Sequence, residues 1–144
     1  MWRSLMTAAS IALAAAGAAA EETVKVGLIL PMTGPFTTTG KQVEAGARFY
    51  MQQNGASVAG NRIELVLRDD GGVADNSKRI AQELLAREKV NILAGFGLTP
   101  IALAVAPLAT ETRTPMVVMA AATAIVTERS RCGTKMRMPM LQAR

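Results

Sequence analysis

Four short apolar runs alternate with three segments of helical periodicity between residues 24 and 119, and this alternation most constrains the fold. Runs of this length, bounded by turn residues, are typical of strands. The predicted strands are VKVGLIL (24–30), RIELVLR (62–68), VNILA (90–94) and MVVM (116–119). Strands that alternate with helices at this spacing form a parallel sheet through right-handed crossovers. We therefore predict an α/β domain of three layers, in which the second strand lies nearer an edge than the first.

The three helical segments each carry an apolar face. The first is predicted over residues 41–53, and the second has Asp75 or Asn76 as its N-cap. The third has Thr99 as its N-cap and Pro100 in the first helical position, and it runs to about residue 112. The predicted apolar faces are Val43, Ala47, Tyr50 and Met51 in the first helix; Ile80, Ala81, Leu84 and Leu85 in the second; and Leu103 and Ala106, with Val105 as a candidate, in the third.

Residues 1–20 have the three parts of a secretory signal peptide. Arg3 supplies a positive start, and residues 5–16 are apolar apart from Ser and Thr. The small residues Ala18-Ala19-Ala20 then precede Glu21. The apolar run is shorter than the roughly 20 residues that a membrane-spanning helix requires. We therefore expect export to the periplasm and a mature chain that begins at Glu21.

The net charge of +5 does not indicate a nucleic-acid partner, because the excess lies near the ends of the chain. Residues 21–128 hold ten Lys and Arg against eleven Asp and Glu, a net charge of −1. The other positive residues are Arg3 and five within residues 129–144, a segment without aromatic residues. A basic segment without aromatic interleaving is a poor nucleic-acid site. Residues 129–144 also lack periodicity, and we expect a disordered tail there.

The chain has no histidine and a single cysteine, Cys132. This composition excludes Ser-His and Cys-His nucleophiles, histidine metal ligation and an internal disulfide. The loop over residues 31–40 resembles a phosphate-binding loop only superficially. Five residues separate Gly34 and Gly40 where four are required, and Gln42 replaces the Ser or Thr that holds magnesium. These observations exclude most hydrolase mechanisms and disfavour a phosphate-binding loop. Our prediction is a protein that is not an enzyme and that uses no metal and no cofactor.

The acidic pair Asp69-Asp70 follows the second predicted strand and has two interpretations. It could form a metal or phospho-acceptor site, or it could be a solvated junction between the strand and a turn. In receiver-type α/β proteins the acidic pair follows the first strand instead. Turn chemistry accounts for Asp followed by Gly at this position, so we favour the solvated turn.

The segment GFGLTP (95–100) is the best candidate for a binding site, because it follows a buried strand and opens a helix. A helix N-terminus favours a carboxylate through its free amides and its dipole. The Thr99 hydroxyl would either cap its own helix or donate to a ligand. The loop AAAT (120–123) follows the fourth strand at the same edge. With strand order 2-1-3-4, the ligand crevice would lie between residues 36–39 and residues 97–99.

Four segments carry a resemblance to the substrate-binding proteins of branched-chain amino acid ABC transporters. They are VKVGLILPMTGPFTTTG, IELVLRDDGG followed by DNSKRIAQELL, VNILAGFGLTP, and TPMVVMAAAT. The resemblance implies a lobe of a type I periplasmic binding protein, which captures a small amino-acid-like ligand for a permease in the inner membrane. It also implies that Leu98, Thr99, Ala122 and Thr123 hold the ligand's α-carboxylate. Thr39 would contact the ligand at a position that is often aromatic in that family.

Length separates this chain from the two-lobed proteins of that family, for which about 300 residues would be expected. Residues 21–128 would form part of the N-terminal lobe, and we expect a gene-level truncation near Ser130. The family's ligand is enclosed between two lobes that close by a hinge motion. We therefore predict negligible affinity of this chain alone for leucine, isoleucine or valine. Two rival functions stay open: a sensor module that regulates a partner protein, and a small flavodoxin-like nucleotide-binding enzyme.

Overall fold

The computed structural model of the protein describes residues 22–121. The strands are β1 (Thr23–Leu30), β2 (Ser57–Val58), β3 (Asn61–Asp69), β4 (Ile92–Gly95) and β5 (Met116–Val118). The helices are α1 (Thr37–Asn54), α2 (Ala74–Glu83), which continues into a π-helical turn over Leu84–Glu88, and α3 (Thr99–Glu111). The predicted signal peptide (1–20) and the predicted tail (129–144) lie outside the described residues. Within residues 22–121, no helix has the length and apolar character to cross a membrane.

The five described strands form one sheet in the order β2-β3-β1-β4-β5. β1 lies at the centre and pairs in parallel with β3 and β4, and β5 pairs in parallel with β4. The predicted parallel sheet and the order of its four predicted strands are confirmed. β2 was not predicted, and it pairs with β3 in an antiparallel hairpin. The turn of this hairpin is Ala59-Gly60, with φ of 51° and 81°, and such tight turns require positive φ at both residues.

The larger part of the core lies on the face of the sheet that α2 and α3 cover. Successive side chains of a strand point to opposite faces, so Ile29 belongs to this face while Leu28 and Leu30 belong to the other. The buried residues of the larger cluster include Ile29, Ile80, Leu84, Leu93, Phe96, Ile101, Val105 and Met116. On the opposite face, Val43 of α1 packs against a smaller cluster that contains Ala94. Helices on both faces confirm the predicted three-layer α/β architecture.

Two helices begin at residues other than the predicted ones. α1 begins at Thr37 instead of residue 41, and the hydroxyl of Thr37 donates to the carbonyl of Gly34 at 2.6 Å. This hydrogen bond closes the turn before the helix, so the helix takes up the end of the predicted loop. Val73 is the N-cap of α2, with extended backbone and no side-chain capping bond. Neither Asp75 nor Asn76 is its N-cap, because both lie within the first turn.

The predicted apolar face is right for α2 but only partly right for the other two helices. In α2, the buried side chains include the predicted Ile80 and Ala81. In α1, Tyr50 is 66 % exposed and is not part of the apolar face. In α3, Leu103 is only half-buried. The buried face of α3 consists of Ile101, Ala102, Val105, Ala106 and Ala109. Its alanines permit close packing of α3 against the core, which larger side chains at these positions would prevent.

Candidate ligand-binding site

Three loops lie side by side at the edge of the sheet where β1, β3 and β4 end. They follow adjacent strands, because the sheet order places β1 between β3 and β4. A methyl group built at Gly72, in the loop after β3, would lie 3.3 Å from Cδ2 of Phe36 and 3.7 Å from Cδ1 of Leu98. Side chains from the loops after β1 and β4 therefore both approach the backbone of the loop after β3. The connection after β1 leads to β3 on one side of the sheet, whereas the connection after β4 leads to β5 on the other side. Open α/β sheets bind ligands at such a switch point.

Leu98 and Thr99 lie where β4 leads into α3, and the helix begins one residue earlier than predicted. Leu98 is the N-cap, with φ of −129° and ψ of 145°, and its carbonyl accepts the amide of Ala102 at 3.1 Å. Thr99 is the first helical residue, and no side chain caps the helix. The amides of Thr99 and Ile101 have no intrahelical partner, and Pro100 has no amide hydrogen. The N-terminus of α3 therefore presents two backbone donors at the predicted ligand edge.

The hydroxyls of Thr39 and Thr99 have no hydrogen-bond partner among residues 22–121. Both residues are half-buried, and Thr39 lies in the first turn of α1. The hydroxyl of Thr110, by contrast, donates to the carbonyl of Ala106 at 2.9 Å. Of the two uses that we considered for Thr99, capping of its own helix is therefore wrong. The other predicted carboxylate-binding positions, Ala122 and Thr123, lie outside the described residues.

Asp69, at the end of β3, joins the loop after β1 to the loop after β3. Its Oδ1 accepts the backbone amides of Met32 at 2.8 Å, Thr33 at 3.3 Å and Gly71 at 2.9 Å. Its Oδ2 accepts the hydroxyl of Thr33 at 2.7 Å. One carboxylate therefore holds two of the three loops of the site together.

Asp70 is completely buried, which corrects our expectation of a solvated acidic pair. Its Oδ1 accepts the amide of Gly72 and its Oδ2 accepts the hydroxyl of Ser77, each at 2.8 Å. Its backbone carbonyl accepts Nδ2 of Asn76 at 3.1 Å. The acidic pair does belong to a turn, as expected, but its carboxylates bind the protein's own donors. Buried polar groups require such partners.

The surroundings of Asp69 lower the pKa of its carboxyl below the ordinary value of 3.8. Burial acts in the opposite direction and raises the pKa, but hydrogen bonds outweigh it. The donors are the Thr33 hydroxyl and the amides of Gly71, Met32 and Thr33. Hydrogen bonds to a carboxylate favour its ionised form. Asp69 is therefore a structural anion at neutral pH, and it is unsuited to act as a general acid.

The site contains amides, hydroxyls and apolar side chains, which together suit a carboxylate on an apolar body. Over residues 22–121, no group of three His, Cys, Asp or Glu could hold a metal ion. The loop after β3, where Gly72 lies close to Phe36 and Leu98, was not predicted to be part of the site. The Gly71-Gly72 pair in the sequence could have indicated this loop, since glycines mark places where other groups approach the backbone closely.

A family model described as a periplasmic binding protein matches residues 23–138 of this chain. The Leu/Ile/Val-binding protein homolog 6 of Brucella abortus (strain 2308) is 42 % identical over 131 residues, which is 90 % of this chain and 34 % of the relative. The chain therefore spans about a third of the length of the curated relatives it matches. The resemblance to branched-chain amino acid binding proteins is confirmed.

Solved structures show the same fold. A solute binding protein of an ABC transporter from Rhodopseudomonas palustris BisB5, in complex with 3,4-dihydroxybenzoic acid, is 54 % identical, with a TM-score of 0.76 over 78 % of this chain and 31 % of that chain. The leucine binding protein LivK from Thermotoga maritima MSB8 is 32 % identical, with a TM-score of 0.72 over 76 % of this chain and 31 % of that chain. These relatives are binding proteins, which confirms the prediction that the chain is not from an enzyme. The family match over most of its length and the shared fold show that this chain belongs to the periplasmic binding protein family.

Proposed function

We propose that the protein carrying this chain is the solute-binding component of an ABC transporter and that it captures a small carboxylate. The observation that carries the proposal is the N-terminus of α3 at the switch point of the sheet. There, the amides of Thr99 and Ile101 have no intrahelical partner, and the Thr99 hydroxyl has no partner within residues 22–121. Free amides and the helix dipole favour an anion at this position.

An aromatic carboxylate is the ligand class that we propose first. The relative bound to 3,4-dihydroxybenzoic acid is 54 % identical to this chain, whereas the leucine binding protein is 32 % identical. The chemistry of the site supports the same choice, because the apolar Leu98 directly precedes Thr99 and the ring of Phe36 approaches the same glycine, Gly72, as Leu98 does. The carboxylates of Asp69 and Asp70 accept hydrogen bonds from their own chain, so they are not free to bind the ammonium group of an amino acid.

A branched-chain amino acid is the second candidate, favoured by the 42 % identity to a Leu/Ile/Val-binding protein homolog. In this case Leu98, Thr99, Ala122 and Thr123 would hold the α-carboxylate, and Thr39 would contact the ligand. The partner of the ammonium group would come from outside residues 22–121. Both candidate ligands place their carboxylate at the same donors of Thr99. A variant of Thr99 therefore tests carboxylate binding, and a comparison of ligands tests which of the two ligand classes is bound.

The location and the partner that we propose are those expected for a member of this family. The predicted signal peptide over residues 1–20 would direct the protein to the periplasm, where it would deliver its ligand to a permease in the inner membrane. Proteins of this kind enclose their ligand by hinge closure of two lobes. Because the chain spans about a third of the length of its relatives, we expect it to bind a ligand by itself more weakly than the micromolar range.

An amide-resolved NMR titration of the chain tests carboxylate binding at this weak level. Benzoate, leucine and benzamide, which has the ring of benzoate but no carboxylate, are added separately into the millimolar range. We expect the amide resonances of Thr99 and Ile101 to shift with the carboxylates and to stay in place with benzamide. Equal shifts with benzamide, or shifts that spare both amides, would contradict the proposal. Tighter binding of leucine than of benzoate would favour the second ligand class.

The variant Thr99→Val tests the hydroxyl while it keeps the backbone amide and the side-chain shape. A hydrogen bond to a charged group contributes about 1.5–3 kcal/mol, so we expect binding to weaken by about tenfold or more. Thr110→Val is the matched control, because Thr110 lies on the same helix and its hydroxyl is bonded to the carbonyl of Ala106. If both variants bound the carboxylate equally well, the hydroxyl of Thr99 would have no part in binding.

A further inference from the structure

We infer that Phe36 is a specificity-determining residue whose ring packs against the apolar body of a bound carboxylate. The inference rests on the proposed function, since it places the carboxylate at the N-terminus of α3. Phe36 is the N-cap residue of α1, so its backbone is attached directly to a helix of 18 residues. Its position relative to the site is therefore set by the packing of that helix.

The exposure of Phe36 is the first observation that points to a ligand. The ring is 42 % exposed, although phenylalanine is among the residues that proteins bury most often. Phe49 and Tyr50 are exposed as well, at 61 % and 66 %, but they lie toward the other end of α1. With a rise of 1.5 Å per residue, Phe49 lies about 20 Å along the helix from Phe36. Phe36 is therefore the exposed aromatic residue of α1 that lies at the ligand edge.

The loop after β3 holds the ring in place. Gly72 has φ of +76°, and a methyl group at this residue would lie 3.3 Å from Cδ2 of Phe36. The ring therefore lies close against bare backbone. The amide of Gly72 donates to Asp70, which in turn accepts the hydroxyl of Ser77, each at 2.8 Å. These bonds already order the backbone beneath the ring. Ligand binding therefore does not carry the entropic cost of ordering this loop.

Leu98 connects this ring to the carboxylate donors. Its Cδ1 would lie 3.7 Å from the same methyl group at Gly72, so its side chain is near the ring. It also directly precedes Thr99, whose amide and hydroxyl are free in the described part of the chain. A ligand with a carboxylate on a flat apolar body can use both parts at once, and aromatic pairs contribute beyond the area they bury. An acetate-sized ligand has no group that extends to the ring.

Phe36→Ala tests this inference. The affinities for benzoate and for acetate are each measured from the shift of the Thr99 amide resonance, and their ratio is compared with that of the unmodified chain. Binding of benzoate should weaken by about two- to tenfold, whereas binding of acetate should not change. Phe49→Ala is the matched control, since it removes an exposed ring from the same helix. Equal weakening of benzoate and acetate, or unchanged benzoate binding, would overturn the inference.

A second measurement uses the unmodified chain, so its result does not depend on whether a variant folds. In the unmodified chain, a benzoate ring against Phe36 and Leu98 should move the Leu98 methyl resonances upfield by its ring current. Acetate should leave these resonances in place. If the Thr99 amide responds to benzoate but the Leu98 methyl groups do not, the inference fails and the proposed function stands. If no carboxylate shifts the Thr99 amide, both fail.

Discussion

The hydroxyl of Ser77 donates a hydrogen bond to Oδ2 of Asp70 over 2.8 Å, and both side chains are completely buried. Ser77 lies in α2 and Asp70 directly follows β3, so the bond joins a helix to the end of a strand. The other carboxylate oxygen of Asp70 accepts the amide of Gly72, the residue beneath Phe36. The stability of the fold and the shape of the site therefore depend on the same carboxylate.

Ser77→Ala should lower the free energy of unfolding by about 1–3 kcal/mol, because it leaves a buried acceptor without one of its partners. Urea denaturation followed by circular dichroism measures the change. Lys78→Ala is the neighbouring control, since Lys78 is exposed and such surface substitutions usually change stability by no more than about 0.5 kcal/mol. If the two variants were equally stable, the hydrogen bond would have no net stabilising effect.

The hydrogen bonds of Asp69 should make the stability depend on pH in acid. Its pKa in the folded state is below 3.8, so ionised Asp69 stabilises the fold at pH values above about 3.8. This contribution should be lost as the pH falls below 3.8 and through the lowered pKa. Denaturation at a series of pH values should show the loss, and Asp69→Asn should flatten that part of the profile.

Glu64→Gln provides the control for this pH profile, because Glu64 is an exposed carboxylate on the same strand. It should leave the acid part of the profile unchanged. Thr33→Val removes the hydroxyl that donates to Oδ2 of Asp69 at 2.7 Å. The pKa of Asp69, followed by its carboxyl carbon resonance, should then rise toward 3.8. An unchanged pKa would show that the Thr33 hydroxyl does not stabilise the ionised form.

Two glycines of α1 should respond to alanine in opposite directions. At Gly40, a methyl group would overlap the carbonyl oxygen of Pro31 and lie 3.2 Å from Sδ of Met32. At Gly46 it would meet nothing within 4 Å. Gly40→Ala should therefore destabilise the fold by about 1–3 kcal/mol. Gly46→Ala should stabilise it by about 0.5–1 kcal/mol, because alanine has the higher helix propensity.

Thermal unfolding of both variants under the same conditions tests this pair. A stabilising Gly40→Ala would show that α1 does not pack closely on the loop after β1. That result would also contradict our argument that the packing of α1 sets the position of Phe36, the residue that precedes this helix. A destabilising Gly46→Ala would instead indicate that this exposed face of α1 is covered by something outside residues 22–121.

The elements of the sheet were predictable because their signals are local. β1 and β4 are short apolar runs between turn residues, and helical segments separate them from the neighbouring strands. The short hairpin strand β2 was missed, because its two residues carry no periodic pattern and its turn depends on Ala59 in a positive φ. The start of α3 was predicted one residue late, because Thr before Pro is a common cap signal and only the backbone shows that Leu98 is the N-cap.

The sequence by itself determined the parallel α/β fold, the family and the helix N-terminus at Thr99, because periodicity and turn residues act over short stretches of chain. Only the tertiary structure decided that Asp70 is buried against Ser77 and that Phe36 and Leu98 both approach Gly72. These contacts join residues that the chain separates and the sheet order brings together. Whether a carboxylate is solvated or an aromatic ring is exposed depends on what the other segments place around it, and a local pattern does not contain that information.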